Sequence, residues 1–330
     1  MTARVLVVND DGIDAPGLHA IVDALARDGV VVCVAAPTSE RSATGHGISI
    51  HAPLVAVPVA VAHATESFAV SGLPADCTML ALGPLFAHLP PFDLVVSGIN
   101  RGNNYGLHVV YSGTVAAARE AAASCVPAVA LSLNAYAPDA DYTHAAAACL
   151  PIIRRLLARI KAGDACSAAL LGSVVNVNVP HCPLDKMRGY AYTRQSYECT
   201  LPNFVEVPVP PGPLHALAAG APRAWENGKV YVARLDREAG TDSAAVANNQ
   251  VAVSLVRLLS DAPPVGEVLA AAPPHPPLPP ALDVTSLSDA AADYVLEVAA
   301  AAAQAAAGAT PVSAKLARPP LAAPAETSAL

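Results

Sequence analysis

The chain has 330 residues, of which 54% are hydrophobic, so it is long enough and apolar enough to bury a sizeable core. Its formal net charge is −8 at pH 7, and no local stretch forms a basic stripe that would attract a polyanion. Composition therefore predicts a folded globular protein and excludes a nucleic-acid duplex as an expected partner.

The cysteines and the N-terminus bear on the cellular compartment. The seven cysteines include no CxxC pair, so they fit neither a zinc motif nor a compact disulfide framework, and we expect a reducing environment. The first apolar run begins within a few residues of Met1, which leaves no room for a signal or transit peptide. No uninterrupted apolar stretch looks like a membrane span. We expect a cytoplasmic protein without membrane association.

Strand-like and helix-like patterns alternate through the first half of the chain. Short β-branched or apolar runs predict strands at residues 5–8, 30–36, 94–96, 127–133 and 174–179. Apolar residues at helical spacing predict helices that begin near Pro16 and that cover residues 76–82, 114–123 and 144–161. Pro151 should kink or split the last of these helices. The alternation predicts an α/β fold, Rossmann-like and doubly wound, with a mainly parallel sheet.

The second half of the chain has a different character. Residues 1–260 are predicted to form one domain, with an antiparallel hairpin arm at about 190–234, where prolines separate short alternating segments. A Pro/Ala-rich stretch predicts a linker at 261–285. We expect a C-terminal helix at 286–307 and a disordered tail at 308–330.

Two adjacent carboxylates, Asp10 and Asp11, follow the first predicted strand. Neighbouring carboxylates repel one another and gain most when a divalent cation lies between them. Hard oxygen ligands suit Mg²⁺, Mn²⁺ or Ca²⁺, so this pair is a candidate metal site. The alternative is an ordinary polar turn that leads into a helix.

Further polar loops follow the next strands, at the edge of an open parallel sheet where ligands usually bind. Residues 39–47 follow the second strand, and residues 97–106 follow the third with glycines for tight turns and amides as neutral oxygen ligands. Residues 112–114 precede an alanine-rich helix, so two hydroxyls and backbone N–H groups converge where a phosphate can bind. Simple helix capping is the alternative, and we favour anion binding.

These motifs resemble those of the SurE-type survival-protein phosphatases, a 5′-nucleotidase family of metal-dependent enzymes. The matching blocks occur in the same order, at residues 9–12 with 15–17, 36–37 with 41–42, 97–106, and 111–115. Smaller matches lie at 71–77, 176–180 and 240–242, so the resemblance covers roughly residues 4–255. Gly45, His46, Arg101 and His108 look most like the plant and green-algal branch of the family.

The resemblance implies a set of site residues. One divalent cation, Mg²⁺ or Mn²⁺, would be coordinated by Asp10, Asp11, Ser42 and Asn100. The phosphate would be held by Ser112, Gly113 and Thr114, while Asn9 and Asn104 would orient the ligands or the substrate. Asp10 and Asp11 are thus the expected catalytic residues, and Asn100 is expected to contact both the metal and the substrate.

The implied activity is hydrolysis of nucleoside 5′-monophosphates, with 3′-monophosphates and other phosphate esters as further substrates. The cation would neutralise phosphoryl charge, and either water or Asp10 would attack the phosphorus. The resemblance also implies a homodimer or homotetramer that exchanges elements of the arm or of the C-terminal region.

Several alternatives stay open at this level. His46 and His108 can act as acids for the leaving group or have structural roles, and we favour the latter. Arg41 can contact phosphate or pair with Glu40. Paired acids after a first strand also occur in phosphoacceptor switch domains, so the rival to an enzyme is a catalytically inactive metal- and nucleotide-binding scaffold or regulatory module.

Overall fold

The structure is a computed structural model that describes residues 2–137, 140–163, 172–210 and 223–258. Within these ranges, one sheet holds nine strands in the order β3-β4-β2-β1-β5-β6-β7-β11-β8. In chain order these strands are β1 (Arg4–Val8), β2 (Val31–Pro37), β3 (Ala56–Pro58), β4 (Glu66–Val70), β5 (Leu94–Arg101), β6 (Ala128–Asn134), β7 (Ser173–Pro180), β8 (Tyr190–Tyr192) and β11 (Val251–Arg257).

The centre of the sheet is parallel. Strands β4, β2, β1, β5, β6 and β7 lie side by side in this order and pair in parallel with one another. The antiparallel pairs are β3 with β4 at one side and β11 with β7 towards the other. The middle strands are buried on both faces, because helices cover each side, and this explains their continuous apolar runs.

Helices pack on both faces of the sheet. One face is covered by α1 (Pro16–Arg27) and α4 (Tyr142–Ala162), and the other by α2 (Pro74–Leu80) and α3 (Gly113–Ala123). A short π-helical segment, Ala81–Leu85, follows α2, and a short α5 (Asp242–Ala247) precedes β11. The two layers of helices confirm the doubly wound α/β prediction. Helix α1 follows β1, and helix α3 follows β5 and the long loop after it.

Two details differ from the sequence prediction. Helix α4 runs as one element from Tyr142 to Ala162 with Pro151 inside it, so of the two expectations the split is wrong and the kink stays a prediction. The short strands β3 and β4 were not predicted. Strand β3 has only three residues and is half exposed, so it lacks the apolar run that marks a central strand.

The arm region contains an antiparallel pair, β9 (Cys199–Val207) with β10 (Ala224–Arg234), as the proline-separated segments predict. Strand β8, in contrast, belongs to the main sheet and pairs in parallel with β11. The predicted linker, C-terminal helix and tail lie outside the described residues, and the domain bounds stay a prediction. None of the helices in the described ranges is long and apolar enough to cross a membrane.

Candidate active site

Asp10 lies at the carboxyl end of β1, where α3 closes over it. Its side chain is only 3% exposed, and the Thr114 hydroxyl donates a hydrogen bond to Asp10 Oδ1. A Cβ atom added to Gly113 would lie 2.8 Å from Asp10 Cβ, so a glycine is required for the helix to approach this closely. Burial, with the neighbouring charge of Asp11, raises the pKa of Asp10 to about 7.

Asp11 is held differently, by the loop that follows β5. The backbone N–H of Arg101 donates to Asp11 Oδ2 at 2.8 Å, and this bond opposes the rise in the pKa of Asp11 that burial causes. The other oxygen, Asp11 Oδ1, is buried and accepts no hydrogen bond. A buried carboxylate oxygen without a partner is costly, unless a ligand such as a cation satisfies it.

The end of β5 supplies the candidate amide ligand. The side-chain nitrogen of Asn100 donates to the carbonyl oxygen of Gly102 at 2.9 Å, which leaves the amide oxygen as the ligating atom. Gly98, in the same strand, has φ +129°, and a Cβ there would lie 2.3 Å from the carbonyl oxygen of Leu131. Only glycine fits this backbone, so the approach of β5 to β6 depends on it.

The loop after β2 brings Ser42 towards the same edge. The backbone N–H of Arg41 donates to the Asp10 carbonyl oxygen at 2.7 Å, which ties this loop to the end of β1. The Ser42 hydroxyl donates to Glu40 Oε1 at 2.8 Å, and Arg101 Nη2 donates to Glu40 Oε2 at 2.9 Å. Glu40 therefore pairs with Arg101, and the alternative of a pair between Arg41 and Glu40 is wrong.

The sequence allows two roles for the N-terminus of α3, helix capping and anion binding, and the structure is compatible with both. Ser112 is the N-cap, and its hydroxyl oxygen accepts a hydrogen bond from the Val115 N–H at 3.0 Å. Capping thus explains Ser112, whereas the Thr114 hydroxyl is committed to Asp10. The Thr114 N–H also hydrogen-bonds the Asp10 carboxylate, so the Gly113 N–H remains the first-turn donor that an anion would meet.

Asn9 and Asn104 form hydrogen bonds that hold the backbone of two loops at the site. The side-chain nitrogen of Asn9 donates to the Gly12 carbonyl oxygen at 2.8 Å, and Asn9 Oδ1 accepts from the Gly12 N–H at 3.3 Å. The side-chain nitrogen of Asn104 donates to Ser132 Oγ at 2.8 Å, while its backbone N–H donates to Asn178 Oδ1 at 2.8 Å. Both side chains are buried, so their observed contacts hold the turn and the third loop rather than an open cavity.

The two candidate histidines have structural contacts. His46 Nε2 lies 3.0 Å from Glu120 Oε2 on α3. His108 Nε2 accepts from the Thr200 N–H at 2.8 Å, so its other ring nitrogen carries the proton and donates to Asn103 Oδ1 at 2.7 Å. Burial lowers the pKa of His108, which keeps the ring neutral. Both contacts support the structural interpretation that the sequence favours.

The residues present fit a hard divalent cation. Asp10 and Asp11 supply two carboxylates from the end of β1, Asn100 supplies an amide oxygen from β5, and the adjoining loop supplies the Ser42 hydroxyl. No group of three or more His, Cys, Asp or Glu side chains in the described ranges is arranged to hold a metal, so the candidate set depends on neutral oxygens as well as carboxylates. The orphaned Asp11 Oδ1 is the feature that a cation explains best.

Sequence reasoning missed the connection through Glu40 and Arg101. Each residue is adjacent or nearly adjacent to a candidate ligand, but the pair is separated by 61 positions, and no local pattern connects them. It also missed why Asn176 and Asn178 recur on β7. Asn176 donates to the Asn104 carbonyl oxygen at 2.8 Å, so this strand supports the third loop.

Comparisons with known proteins agree with this geometry. The family model described as Survival protein SurE matches residues 5–200. A protein named 5'-nucleotidase SurE from Carboxydothermus hydrogenoformans is 36% identical over 256 residues, which are 77% of this chain and 89% of the relative. A protein of the same name from a Cyanothece species is 37% identical over 258 residues, with 76% and 89% of the two chains covered.

A solved structure supports the same assignment. The SurE protein from Aquifex aeolicus superimposes with a TM-score of 0.64 at 28% identity, and the match covers 81% of this chain and 98% of that one. The region that the family model matches, residues 5–200, contains every candidate ligand and the candidate phosphate-binding segment at 112–114. The chain is therefore a member of the SurE family.

Proposed function

We propose that this chain is a metal-dependent phosphomonoesterase that hydrolyses nucleoside 5′-monophosphates to nucleoside and phosphate. The observation that carries the proposal is the contact between Asp10 and α3, in which Thr114 donates to the carboxylate and Gly113 packs against it. This contact brings a candidate metal ligand beside a helix N-terminus that suits a phosphate. The SurE relatives named 5'-nucleotidase agree with it.

We assign the cation, Mg²⁺ or Mn²⁺, to Asp10, Asp11, Ser42 and Asn100. When bound, it would neutralise charge on the phosphoryl oxygens. Around it, the Arg101 N–H orients Asp11, and the amide nitrogen of Asn100, bonded to Gly102, turns the amide oxygen outward. Asn9 and Asn104 act as positioning residues, because their hydrogen bonds fix the turn and the loop that carry the ligands.

The phosphate is assigned to the first turn of α3. The N–H group of Gly113 binds its oxygens, and the partial positive charge of the helix end adds to the attraction. Thr114, whose N–H and hydroxyl both contact Asp10, links the phosphate segment to the metal ligand. The Ser112 hydroxyl, whose oxygen already accepts from Val115, retains its own hydrogen for donation to the anion. Two nucleophiles fit this geometry, water and Asp10, and trapping of a labelled phosphoaspartate would select Asp10.

The decisive experiment is phosphate release from a panel of nucleoside 5′- and 3′-monophosphates, with Mg²⁺, with Mn²⁺ and with a chelator. We expect release from 5′-monophosphates that needs the cation and that falls by at least about 100-fold in Asp10→Asn and in Asp11→Asn, more than loss of an outer contact normally costs. Asp14→Asn is the matched control, because Asp14 is an exposed carboxylate in the same loop.

The outcomes separate an enzyme from a scaffold. Cation-dependent release that both ligand variants lose, and that Asp14→Asn retains, supports the proposal. A folded wild type that binds Mn²⁺ but releases no phosphate from any substrate would replace it with the inactive metal- and nucleotide-binding scaffold.

We also propose that the chain works in the cytoplasm as a homodimer or homotetramer. The hairpin of β9 and β10 supports self-association, because Phe204, Val205 and Trp225 expose apolar surface, with Phe204 63% exposed. Five of the described cysteines carry free thiols, which suits a reducing compartment: Cys33, Cys77, Cys149, Cys182 and Cys199. Light scattering that detects only a monomer would contradict the assembly, and cell fractionation tests the compartment.

A further inference from the structure

Glu40 connects two of the proposed ligand loops through the two oxygens of one carboxylate. Oε1 accepts from the Ser42 hydroxyl at 2.8 Å, and Oε2 accepts from Arg101 Nη2 at 2.9 Å. Arg101 in turn donates its backbone N–H to Asp11 Oδ2 at 2.8 Å. Three hydrogen bonds and the side chain of Arg101 therefore connect Ser42 with Asp11, between the loops that follow β2 and β5.

The orientation of the Ser42 hydroxyl follows from this connection. A serine hydroxyl has one hydrogen and two lone pairs, and a charged acceptor forms a stronger bond than a neutral one. When the hydrogen is committed to Glu40, only lone pairs remain for other partners. The hydroxyl is then ready to act as a neutral oxygen ligand, whereas a free rotor would have to be ordered when the cation binds.

The other half of the connection acts on Asp11. The guanidinium of Arg101 is held by Glu40, and the backbone of the same residue holds Asp11 Oδ2. This arrangement leaves the buried, unpartnered Asp11 Oδ1 as the oxygen available to a cation. Glu40 therefore helps to orient the neutral ligand Ser42 and the charged ligand Asp11, although Glu40 is not itself a proposed ligand.

We propose that Glu40 is a positioning residue for the metal site, which sets cation affinity by fixing the Ser42 hydroxyl and by anchoring Arg101 beside Asp11. The proposal rests on the ligand set given under the proposed function, but not on the reaction. Outer contacts of this kind typically contribute 10- to 100-fold to metal affinity.

Stability is not the expected role of this residue. The side chains of Arg101 and Glu40 are 39% and 50% exposed, and exposed ion pairs contribute little to folding. Removal of Glu40 should leave the thermal midpoint of the metal-free protein unchanged. A change in cation affinity without a change in that midpoint is thus the signature of positioning.

The test is a double-mutant cycle on Mn²⁺ affinity, measured by isothermal titration calorimetry on the full chain. The variants are Glu40→Ala, Ser42→Ala and the double variant. We expect Glu40→Ala to weaken Mn²⁺ binding by about 10-fold, within the range for outer contacts. Because part of the effect passes through Ser42, the double variant should bind clearly more tightly than the product of the two single losses predicts.

Glu206→Ala is the matched control. Glu206 is an exposed glutamate that pairs with Arg223 at 2.7 Å on the hairpin of β9 and β10, so its removal deletes the same kind of ion pair away from the proposed ligands. It should bind Mn²⁺ as the wild type does. Strictly additive losses in the cycle, or wild-type affinity in Glu40→Ala, would overturn the inference.

Failure of the inference can be told apart from failure of the proposed function. Coupling between Glu40 and Ser42 in a protein that releases no phosphate would uphold the positioning role and reject the phosphatase. Phosphate release with additive losses would do the reverse. A wild type that binds no Mn²⁺ would overturn the inference together with the metal assignment.

Discussion

Two neighbouring carboxylates in this site have very different surroundings. Asp10 belongs to an enclosed half, in which Gly113 and Thr114 of α3 cover it and leave it 3% exposed. Asp11 belongs to an open half, which it shares with Ser42, Glu40 and Arg101, and where the hydrogen bonds lie near solvent. Packing therefore fixes the position of Asp10 in the enclosed half, whereas polar contacts that can exchange with water fix the position of Asp11 in the open half. Substitutions in the enclosed half should therefore have larger effects.

The largest expected effect is on stability as a function of pH in the enclosed half. The pKa of Asp10 is about 7 in the folded protein against an ordinary 3.8, so between these values the folded state holds a proton that the unfolded chain has lost. Stability of the metal-free protein should therefore fall as pH rises from about 4 to about 7, by about 4 kcal/mol from this group at 1.36 kcal/mol per pKa unit.

Urea unfolding at pH 5, 6, 7 and 8 in the presence of a chelator measures this slope. Asp10→Asn cannot titrate, so it should flatten the pH dependence and be more stable than the wild type above pH 7. Added Mn²⁺ should restore wild-type stability there, since a cation that binds only the folded state stabilises it. An identical slope in wild type and Asp10→Asn would show that Asp10 is not the group responsible.

Gly113→Ala tests how tightly the enclosed half is packed. The new methyl group would lie 2.8 Å from Asp10 Cβ and 2.9 Å from Asp10 Oδ2, so either the carboxylate or the helix must move. We expect a loss of about 1–3 kcal/mol in stability from overpacking. We also expect about a 100-fold fall in kcat/KM, because a displacement near 1 Å has that consequence in well-ordered sites. Steady-state kinetics with a 5′-monophosphate measures the fall, and unchanged kinetics would contradict the close packing.

The sequence predicted the central fold because buried parallel strands and amphipathic helices leave strong local patterns. Strands β1, β2, β5, β6 and β7 were found in this way. Strand β3 was missed because its three residues are half exposed and carry no such pattern. The candidate ligands were identified by residue type at strand ends, together with a family resemblance.

The connections among those ligands were beyond sequence reasoning. Thr114 bonds to Asp10 across 104 positions, and Arg101 bonds to Glu40 across 61. Side-chain pairs so distant in the chain follow from the packing of α3 and of the loops against the sheet, and no local periodicity reports them. The same holds for Asn9 and Asn104, which the family resemblance implies would orient the ligands or the substrate and whose observed hydrogen bonds hold the backbone.

Thr114→Val is a smaller change in the enclosed half and tests the Thr114 hydroxyl alone. Valine keeps the shape of threonine but removes the hydroxyl that donates to Asp10, a bond that lowers the pKa of this carboxyl. The pKa of Asp10 should therefore rise further, and kcat/KM should fall by about 10- to 100-fold, as for other outer contacts. In the metal-free protein, the pH range over which stability falls should extend to higher pH, as urea unfolding with a chelator measures. Thr143→Val, on the exposed first turn of α4, is the control and should match the wild type in both measurements.

The smallest effect is expected in a region that belongs to neither half. Glu206 and Arg223 form an exposed ion pair on the hairpin of β9 and β10, in which the charged neighbour lowers the pKa of Glu206. Such a pair gains little Coulomb energy in water and must order two long side chains, so Glu206→Ala should leave both the thermal midpoint and kcat/KM at their wild-type values. Calorimetry and steady-state kinetics check this. If Glu206→Ala lost as much activity as Glu40→Ala, then exposed glutamate–arginine pairs would matter equally wherever they lie. The hydrogen bonds of Glu40 in the open half would then have no specific role in the site.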